Sequence, residues 1–293
     1  MTPIELGADA LVKAVAQQVA VWPRLVHARG RPSGDRWRAR SRRVVRRELE
    51  ALALHVAQAA ISRDDASAAA EAGIRAGIPA LIDAWGTAAA KVDSAFASLT
   101  PAERANLRPS AAALLQRFGA TFYIDEGDSS ETAAHIHTLR LAKKVDIASI
   151  FHGAMHLAHF ADPDRLDLLA AQIHDLSPIP ASALPQGLRG SFLYADSTGL
   201  GWLLVGDTGP NFYGSGAGVI VDLGGDDTYL HRPSAPTALI IDYQGDDRHI
   251  GGGAASGIAG IGLVLDLTGN DLYHSRSLAL GAAFCGIGVL WDH

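Results

Sequence analysis

The chain has 293 residues, of which 48% are hydrophobic and 19% charged, and its formal net charge is −6. This composition is ordinary for a folded chain and excludes wholesale disorder. The single Cys285 excludes an internal disulfide framework. The sequence contains no uncharged apolar run of about eighteen residues, so it predicts no membrane span. The first residues do not show the pattern of a signal peptide.

Residues 1–185 are predicted to form a mainly helical domain that ends in a proline-rich linker. Helical periodicity predicts helices over residues 8–22 and 44–60, and a third over 66–99 that is interrupted near Pro79. The linker prediction rests on residues 175–190, where three prolines fall within eight residues.

Capping residues predict two further helix starts. Thr100, followed by Pro101 and Glu103, has the pattern of a capping box. We expect Pro109 to break that helix, which restarts and ends at a Gly119 cap, before a short strand over residues 120–124. Asp146 is the predicted N-cap of a helix that stops before Pro163.

A basic segment lies between Arg24 and Glu50, with ten arginines against three acidic residues. Such a segment can grip phosphates, and Trp37 is available for stacking. The acidic remainder of the chain disfavours nucleic acid, however. We interpret the segment as a basic helical edge that pairs with an acidic surface.

A repeated motif dominates residues 186–293, which are predicted to form a second domain. The chain reads DLGGDDTY from residue 222, DYQGDDRH from 242 and DLTGNDLY from 266. An apolar strand precedes each copy, and the same kind of strand recurs in GVLWDH at 288–293. Short repeats of this kind predict a β-solenoid with Gly-Asp turns, so the expected fold class is α+β.

Side chains alternate along these strands, which gives each strand two faces. One face is uniformly apolar, as at Val219 and Val221, and we assign it to the solenoid interior. The opposite face combines an aliphatic residue with aspartate, as at Ile220 and Asp222. We expect that outward face to be covered, most simply by the N-terminal helices and otherwise by another subunit, because a solvated face would not repeat an aliphatic residue.

The repeated acidic residues have two interpretations. In the first, Asp222, Asp242 and Asp266 accept hydrogen bonds from amides of the following glycine turn. In the second, a cation lies between successive turns, and Ca²⁺ suits the hard oxygen ligands. The residues predicted to hold this calcium are Asp226, Asp227, Asp246, Asp247, Asn270 and Asp271.

The stretch from residue 203 to 293 resembles bacterial proteins that carry repeated DLGGDDxY coils. GGDDTYL and TGNDLYH are also loosely similar to the Gly-Asp repeats of RTX calcium-binding β-rolls, although those repeats run as tandem nonapeptides. The resemblance implies a β-solenoid associated with the cell envelope or exterior, and it implies no reaction.

The last strand stops where each earlier copy continues into its turn. We expect the repeat domain to be truncated at its C-terminus, because an uncapped solenoid end is prone to associate. The open coil would then pair with the missing continuation of the chain; otherwise it pairs with another protein. This gives the first functional hypothesis: a non-catalytic surface or assembly module, in one version stabilised by calcium.

The alternative hypothesis is a metal-dependent hydrolase or polysaccharide lyase that uses either the aspartates or a histidine stripe. His152, His156 and His159 share one face of a helix, and the i, i+4 spacing suits Zn²⁺. Gly153 stands where the HExxH motif places its glutamate, so that protease mechanism is not supported. Cys285 is interpreted as a small buried residue.

Overall fold

The computed structural model describes residues 77–121, 129–158, 160, 163–214, 216–231, 236–253, 255–275 and 278–292. Helices occupy the first part of this region and strands the second, so the predicted α+β class is confirmed. The helices predicted within residues 1–76 and the basic segment lie outside the described residues. The described helices are α1 (Ile78–Ala95), α2 (Pro101–Thr121), α3 (Ser129–Ala142), α4 (Ile147–Ala158) and α5 (Pro163–His174).

The predicted caps are present at the starts of α2 and α4. The amide N–H of Thr100 donates to Glu103 Oε2 at 2.8 Å, and the N–H of Glu103 donates to Thr100 Oγ1 at 3.2 Å. Asp146 accepts from the backbone N–H of Ser149 at 3.3 Å and from its hydroxyl at 2.7 Å. Local hydrogen bonding therefore sets both helix starts.

The predicted interruption near Pro79 is not contradicted: Gly77 is outside a helix and α1 begins at Ile78, with Pro79 in its first turn, where a proline loses no intrahelical bond. The residues before Gly77 lie outside the described region. The predictions for the end of the next helix were wrong. The α2 helix continues through Pro109 and past Gly119 to Thr121, so Ala120 and Thr121 are helical rather than the start of a strand. Pro109 is exposed, which leaves water to satisfy the carbonyl group that loses its donor.

Helices α1 and α4 pack directly against each other and against the strands. Gly153 of α4 allows this approach, because a Cβ atom there would lie 3.0 Å from the carbonyl oxygen of Ala88 and 3.2 Å from Ile261 Cδ1. The indole N–H of Trp85 donates to the carbonyl oxygen of Thr237 at 3.2 Å. A buried cluster of apolar side chains therefore runs continuously from helices to strands.

The strands follow the proline-rich segment, which contains a short 3-10 helix (Ala181–Ala183). They are β1 (Leu188–Arg189), β2 (Phe192–Thr198), β3 (Gly201–Gly206), β4 (Phe212–Tyr213), β5 (Ala217–Asp222), β6 (Thr228–His231), β7 (Thr237–Asp242), β8 (Arg248–Gly251), β9 (Gly257–Ile258), β10 (Ile261–Asp266), β11 (Leu272–His274), β12 (Ala283–Phe284) and β13 (Ile287–Asp292). The boundary predicted between residues 185 and 186 stays a prediction.

Two larger sheets contain most of these strands. The six-stranded sheet has the order β13-β10-β7-β5-β3-β2, and the five-stranded sheet has the order β1-β4-β6-β8-β11. The pairs β2–β3 and β1–β4 are antiparallel, and the other pairs in these two sheets are parallel. We call β5–β6, β7–β8 and β10–β11, each with its connecting turn, copies 1, 2 and 3, and β13 begins copy 4.

The copies are aligned in register. Asp222 pairs with Asp242, Asp242 with Asp266, and Asp266 with Asp292. In the second sheet Tyr229 pairs with His249, which in turn pairs with Tyr273. Each position of the motif therefore forms a row of equivalent residues across neighbouring strands.

The prediction of which strand face lies inside was wrong. The uniformly apolar face, including Val219 and Val221, packs in the same cluster as the helices. The mixed face, including Ile220, packs instead with Tyr213 and Tyr229 of the five-stranded sheet. The helices do cover one face of the sheet, but the aspartates lie on the other, between the two sheets.

Candidate functional site

The strand-end aspartates Asp222, Asp242 and Asp266 are fully buried. A tyrosine hydroxyl donates to Oδ2 of each carboxyl group, from Tyr213 to Asp222 and from Tyr229 to Asp242. Tyr273 makes the corresponding bond to Asp266 at 2.7 Å. The tyrosine of the motif is thus the donor that its buried aspartates need.

The glycine turn supplies a second donor to two of these carboxyl groups. The N–H of Gly224 donates to Asp222 Oδ1 at 2.7 Å, and that of Gln244 donates to Asp242 Oδ1 at 3.1 Å. Gly224 has a φ of 136°, which favours glycine at this point of the turn. The local hydrogen bonding that we predicted is therefore present at Asp222 and Asp242. At Asp266, the Oδ1 atom has no hydrogen-bond partner among the described residues.

The six residues predicted as calcium ligands separate into two columns. The inner column is Asp227, Asp247 and Asp271, and each carboxylate accepts a backbone N–H from the preceding copy or strand. The N–H of Asn211 donates to Asp227 Oδ1, that of Asp227 to Asp247 Oδ1 at 2.6 Å, and that of Asp247 to Asp271 Oδ1 at 2.8 Å. Asp227 and Asp247 are each 1% exposed.

The outer column is Asp226, Asp246 and Asn270, and all three are exposed. Its hydrogen bonds run in the opposite direction along the chain. The N–H of Asp246 donates to Asp226 Oδ1 at 3.2 Å, and the N–H of Asn270 donates to Asp246 Oδ1 at 3.1 Å. This column is explained as hydrogen bonding between neighbouring turns.

The inner column joins the strand-end aspartates in two clusters, which we call cluster I and cluster II. Cluster I contains Asp227, Asp242 and Asp247, and cluster II contains Asp247, Asp266 and Asp271. In each cluster, one ligand atom from every residue lies within 4.8 Å of those from the other two. Among the described residues, these are the groups of three His, Cys, Asp or Glu side chains with metal-site spacing.

Sequence reasoning missed Asp242 and Asp266 as members of these clusters. The cause was the wrong face assignment, which placed both residues outside. The sequence offered only a partial signal. Tyrosines near the aspartates can donate to buried carboxyl groups. The bonded pairs, however, are 9, 13 and 7 residues apart, and only Tyr273 and Asp266 belong to the same copy.

Burial raises the pKa of these carboxyl groups. It raises the pKa of Asp271 to about 6, and like charges on Asp266 and Asp247 act in the same direction. Burial is also the largest cause of the raised pKa of Asp227, Asp242 and Asp247, and neighbouring carboxylates add to it. Several adjacent carboxylates in one dry site are costly unless protons or a cation neutralise them.

A row of stacked rings runs beside the carboxylates. The ring centroids of Tyr213 and Tyr229 are 4.8 Å apart, those of Tyr229 and His249 are 4.5 Å apart, and those of His249 and Tyr273 are 4.7 Å apart. His249 Nε2 lies 3.5 Å from Asp266 Oδ2, and its Nδ1 lies 2.9 Å from His231 Nε2. Burial, and then His249, lower the pKa of His231 to about 3.

The described histidines of the stripe, His152 and His156, do not belong to a cluster of possible metal ligands. His152 and His156 lie half-buried on α4, and His159 lies outside the described residues. Burial lowers the pKa of His156, and nearby Lys91 and His152 lower it further. Neither cluster of three possible metal ligands found in the described region includes a histidine. The zinc hypothesis therefore stays a prediction.

Cys285 is buried between the helices and the strands. Its Sγ lies 4.0 Å from the carbonyl oxygen of Ala142, and burial raises the pKa of the thiol. A protonated, buried thiol is a poor nucleophile. This agrees with the interpretation of Cys285 as a small core residue.

No family model, curated protein or solved structure matches this chain. Within the described part of the chain, no helix has the length and apolar character needed to span a membrane.

Proposed function

We propose that this chain is a non-catalytic assembly module built on a β-solenoid, and that its open edge pairs with a strand and turn of the same repeat from a partner. The in-register parallel pairing supports the solenoid, since each copy follows the path of the one before. Among the described residues, β2 and β13 are the two edge strands of the six-stranded sheet, and we call the β13 side the open edge.

The observation that carries the proposal is the exposure of Trp291 on β13. Trp291 pairs with Leu265, which pairs with Ile241, and these two residues are 5% and 0% exposed. Trp291 in the same row is 47% exposed. An exposed apolar strand edge is a surface that recruits a further strand.

The hydrogen bonds between copies support one kind of partner segment. The N–H of Asp227 donates to the carboxylate of Asp247, and the N–H of Asp247 to that of Asp271. A segment with the same turn would bring a carboxylate to the N–H of Asp271 and continue that column. Backbone pairing would provide affinity, and the aspartate would fix the register. The partner segment is therefore an apolar strand with a Gly-[Asp/Asn]-Asp turn, aligned parallel to copy 3.

A peptide taken from the chain tests this proposal. Residues 242–266 span one turn, one strand of each large sheet and the segment between them. We expect a fluorescently labelled peptide of this sequence to bind the protein saturably in an anisotropy titration. The same peptide with Asp247→Ala should bind at least tenfold more weakly, because it cannot accept the N–H of Asp271. Equal binding of the two peptides, or no saturable binding, would overturn the proposal.

Two protein variants locate the binding surface. Trp291→Lys places a charge on the open edge and should weaken peptide binding at least tenfold. Leu168→Lys is the matched control, because Leu168 is 51% exposed on α5 and lies outside the strand edge. Dimerisation of the protein at the expense of peptide binding would show that a second copy occupies the edge, contrary to the proposal.

The histidines separate this function from the alternative hydrolase. Replacing both His152 and His156 with Ala should leave peptide binding unchanged, since neither residue belongs to the strand edge. A hydrolase that used these side chains would lose turnover in the same variant. The double variant therefore separates the assembly function from a hydrolase that uses the histidine stripe.

A further inference from the structure

We propose that clusters I and II are two equivalent sites for a hard divalent cation, with Ca²⁺ as the best-fitting ion, and that Asp247 belongs to both. This goes beyond the proposed assembly function, which requires no ion. Both sites have the same composition: two neighbouring residues of the inner column and the strand-end aspartate between them. The exposed outer column, predicted from the sequence to contribute ligands, is excluded.

The carboxylate oxygens without donors are the evidence for a ligand. In cluster II, Asp247 Oδ2, Asp266 Oδ1 and Asp271 Oδ2 are buried and have no hydrogen-bond partner in the described structure. In cluster I, Asp227 Oδ2 and Asp247 Oδ2 likewise accept from no N–H or hydroxyl donor of the described residues, and the Asp227 and Asp247 carboxyl groups lie against Asp222 and Asp242, with which each can share only a proton. A buried polar atom without a partner is costly, and native structures contain few of them.

A cation satisfies these oxygens better than a proton does. One shared proton joins two carboxylate oxygens and leaves the third oxygen of cluster II without a partner. A cation contacts all three oxygens at once and offsets the repulsion among their charges. Asp247 can serve both sites, because a carboxylate oxygen has two lone pairs.

The preceding position in the inner column shows how the chain avoids such a cluster. Asn211 occupies that position, and its Nδ2 donates to Asp222 Oδ2 at 3.3 Å. A neutral amide thus provides the donor at Asp222. The next three positions carry Asp227, Asp247 and Asp271, which bring unpartnered oxygens instead. The three-carboxylate arrangement is confined to clusters I and II in the described residues.

The ligand chemistry indicates the type of ion. All the converging atoms are carboxylate oxygens, which suit hard cations. Oxygens that lie within 4.8 Å of one another fit a central ion with the Ca–O distance of about 2.3–2.6 Å. Mg²⁺ prefers to keep several water molecules and loses them reluctantly, so it fits a buried site less well.

Ion stoichiometry tests the assignment. The protein is freed of metal with chelator, dialysed and titrated with Ca²⁺ by calorimetry. Plasma mass spectrometry then measures the number of calcium ions bound per chain. We expect two ions per chain for the unchanged protein and one for Asp266→Asn, which alters cluster II alone. Asp247→Asn alters both clusters and should abolish binding. The matched control Asp246→Asn, one residue away in the outer column, should still bind two ions.

Absence of Ca²⁺ binding to the unchanged protein would overturn the proposal, as would equal loss in Asp246→Asn and Asp247→Asn. Tyrosine-sensitised Tb³⁺ emission gives a second measurement that does not depend on variants that alter the carboxylates. Tyr229 and Tyr273 donate to Asp242 and Asp266, so each site has an adjacent ring that can transfer excitation. Ca²⁺ should displace Tb³⁺ and quench this emission, and failure to see sensitised emission would contradict the assignment.

Discussion

The backbone N–H of Asp227 donates to Asp247 Oδ1 at 2.6 Å, while the second oxygen of Asp247 has no donor in the described structure. One carboxylate thus holds two copies together and also takes part in both acidic clusters. Its two oxygens have different roles, since one fixes the register and the other faces neighbouring carboxylates.

This relationship predicts an effect that changes sign with calcium. In chelator, Asp247→Asn should raise the free energy of unfolding by about 1–3 kcal/mol, because the amide keeps an acceptor oxygen and adds a donor to a repulsive cluster. In millimolar Ca²⁺ the same variant should be less stable than the unchanged protein, because it has lost its bound ions. Urea unfolding under both conditions measures the difference.

Asp246→Asn is the control for this prediction. Asp246 is exposed, and its substitution should change the free energy of unfolding by less than about 0.5 kcal/mol under either condition. If Asp247→Asn is destabilising in chelator by the same amount as in Ca²⁺, the unpaired oxygen of Asp247 is not a source of repulsion.

The tyrosine hydroxyls should contribute unequally to stability. Tyr229→Phe removes a donor from the fully buried Asp242, and we expect a loss of about 1–3 kcal/mol in the free energy of unfolding. Tyr194→Phe is the matched control, since the Tyr194 hydroxyl donates to the exposed Asp196 at 3.4 Å. Chemical denaturation of both variants provides the measurement. Similar small losses would show that the buried Tyr229–Asp242 bond contributes no more to the free energy of unfolding than the exposed Tyr194–Asp196 bond.

The ends of the strands that carry the motif were predicted well, because each copy of the motif contains its own strand and turn signals. The strands β5, β7, β10 and β13 end at the expected aspartates, and the register follows from the motif. The alternation of side chains defined two faces but did not say which one the helices cover. The uniformly apolar face fits a helix layer, and the Ile/Asp face fits a layer that supplies tyrosine hydroxyls.

The helices were predicted less well because their signals are local and weak. The capping residues Thr100 and Asp146 marked two starts correctly. The α3 and α5 helices were missed, although the sequence places Asp128 three residues before Glu131 at the start of α3 and Asp162 before Pro163 at the start of α5, which are signals of the same kind. The sequence analysis predicted that Pro109 breaks α2, but the helix continues through it. An exposed proline can remain in a helix whose other face is held by packing, as at the buried Leu107.

Close packing of α1 against α4 predicts opposite effects at two helical glycines. Gly86→Ala should stabilise the protein by about 0.5–1 kcal/mol, because nothing lies within 4 Å of the added Cβ atom. Gly153→Ala places its Cβ atom 3.0 Å from the backbone oxygen of Ala88, and the strain should outweigh the same gain in helix propensity. Thermal melts should therefore shift upward for the first variant and downward for the second. A similar rise in both would mean that α1 and α4 separate easily.

Because the pKa of His231 is lowered in the folded protein, we expect the free energy of unfolding to fall in acid. Its pKa in the folded protein is about 3, below the value of about 6.5 for an unperturbed histidine. Between these values the unfolded chain binds the proton and the folded protein does not, so the free energy of unfolding falls as the pH falls. The slope from this residue should approach, at most, about 1.4 kcal/mol per pH unit.

His231→Phe isolates this effect from the titration of the aspartates. The variant loses the contact with His249 at every pH, which adds a constant offset, but it has no proton to bind at position 231. The difference in unfolding free energy between the unchanged protein and the variant should therefore shrink as the pH is lowered from about 6.5 towards 4. Urea titrations at four pH values across this range give the slope. A difference that is independent of pH would mean that His231 is protonated as readily in the folded protein as in the unfolded chain.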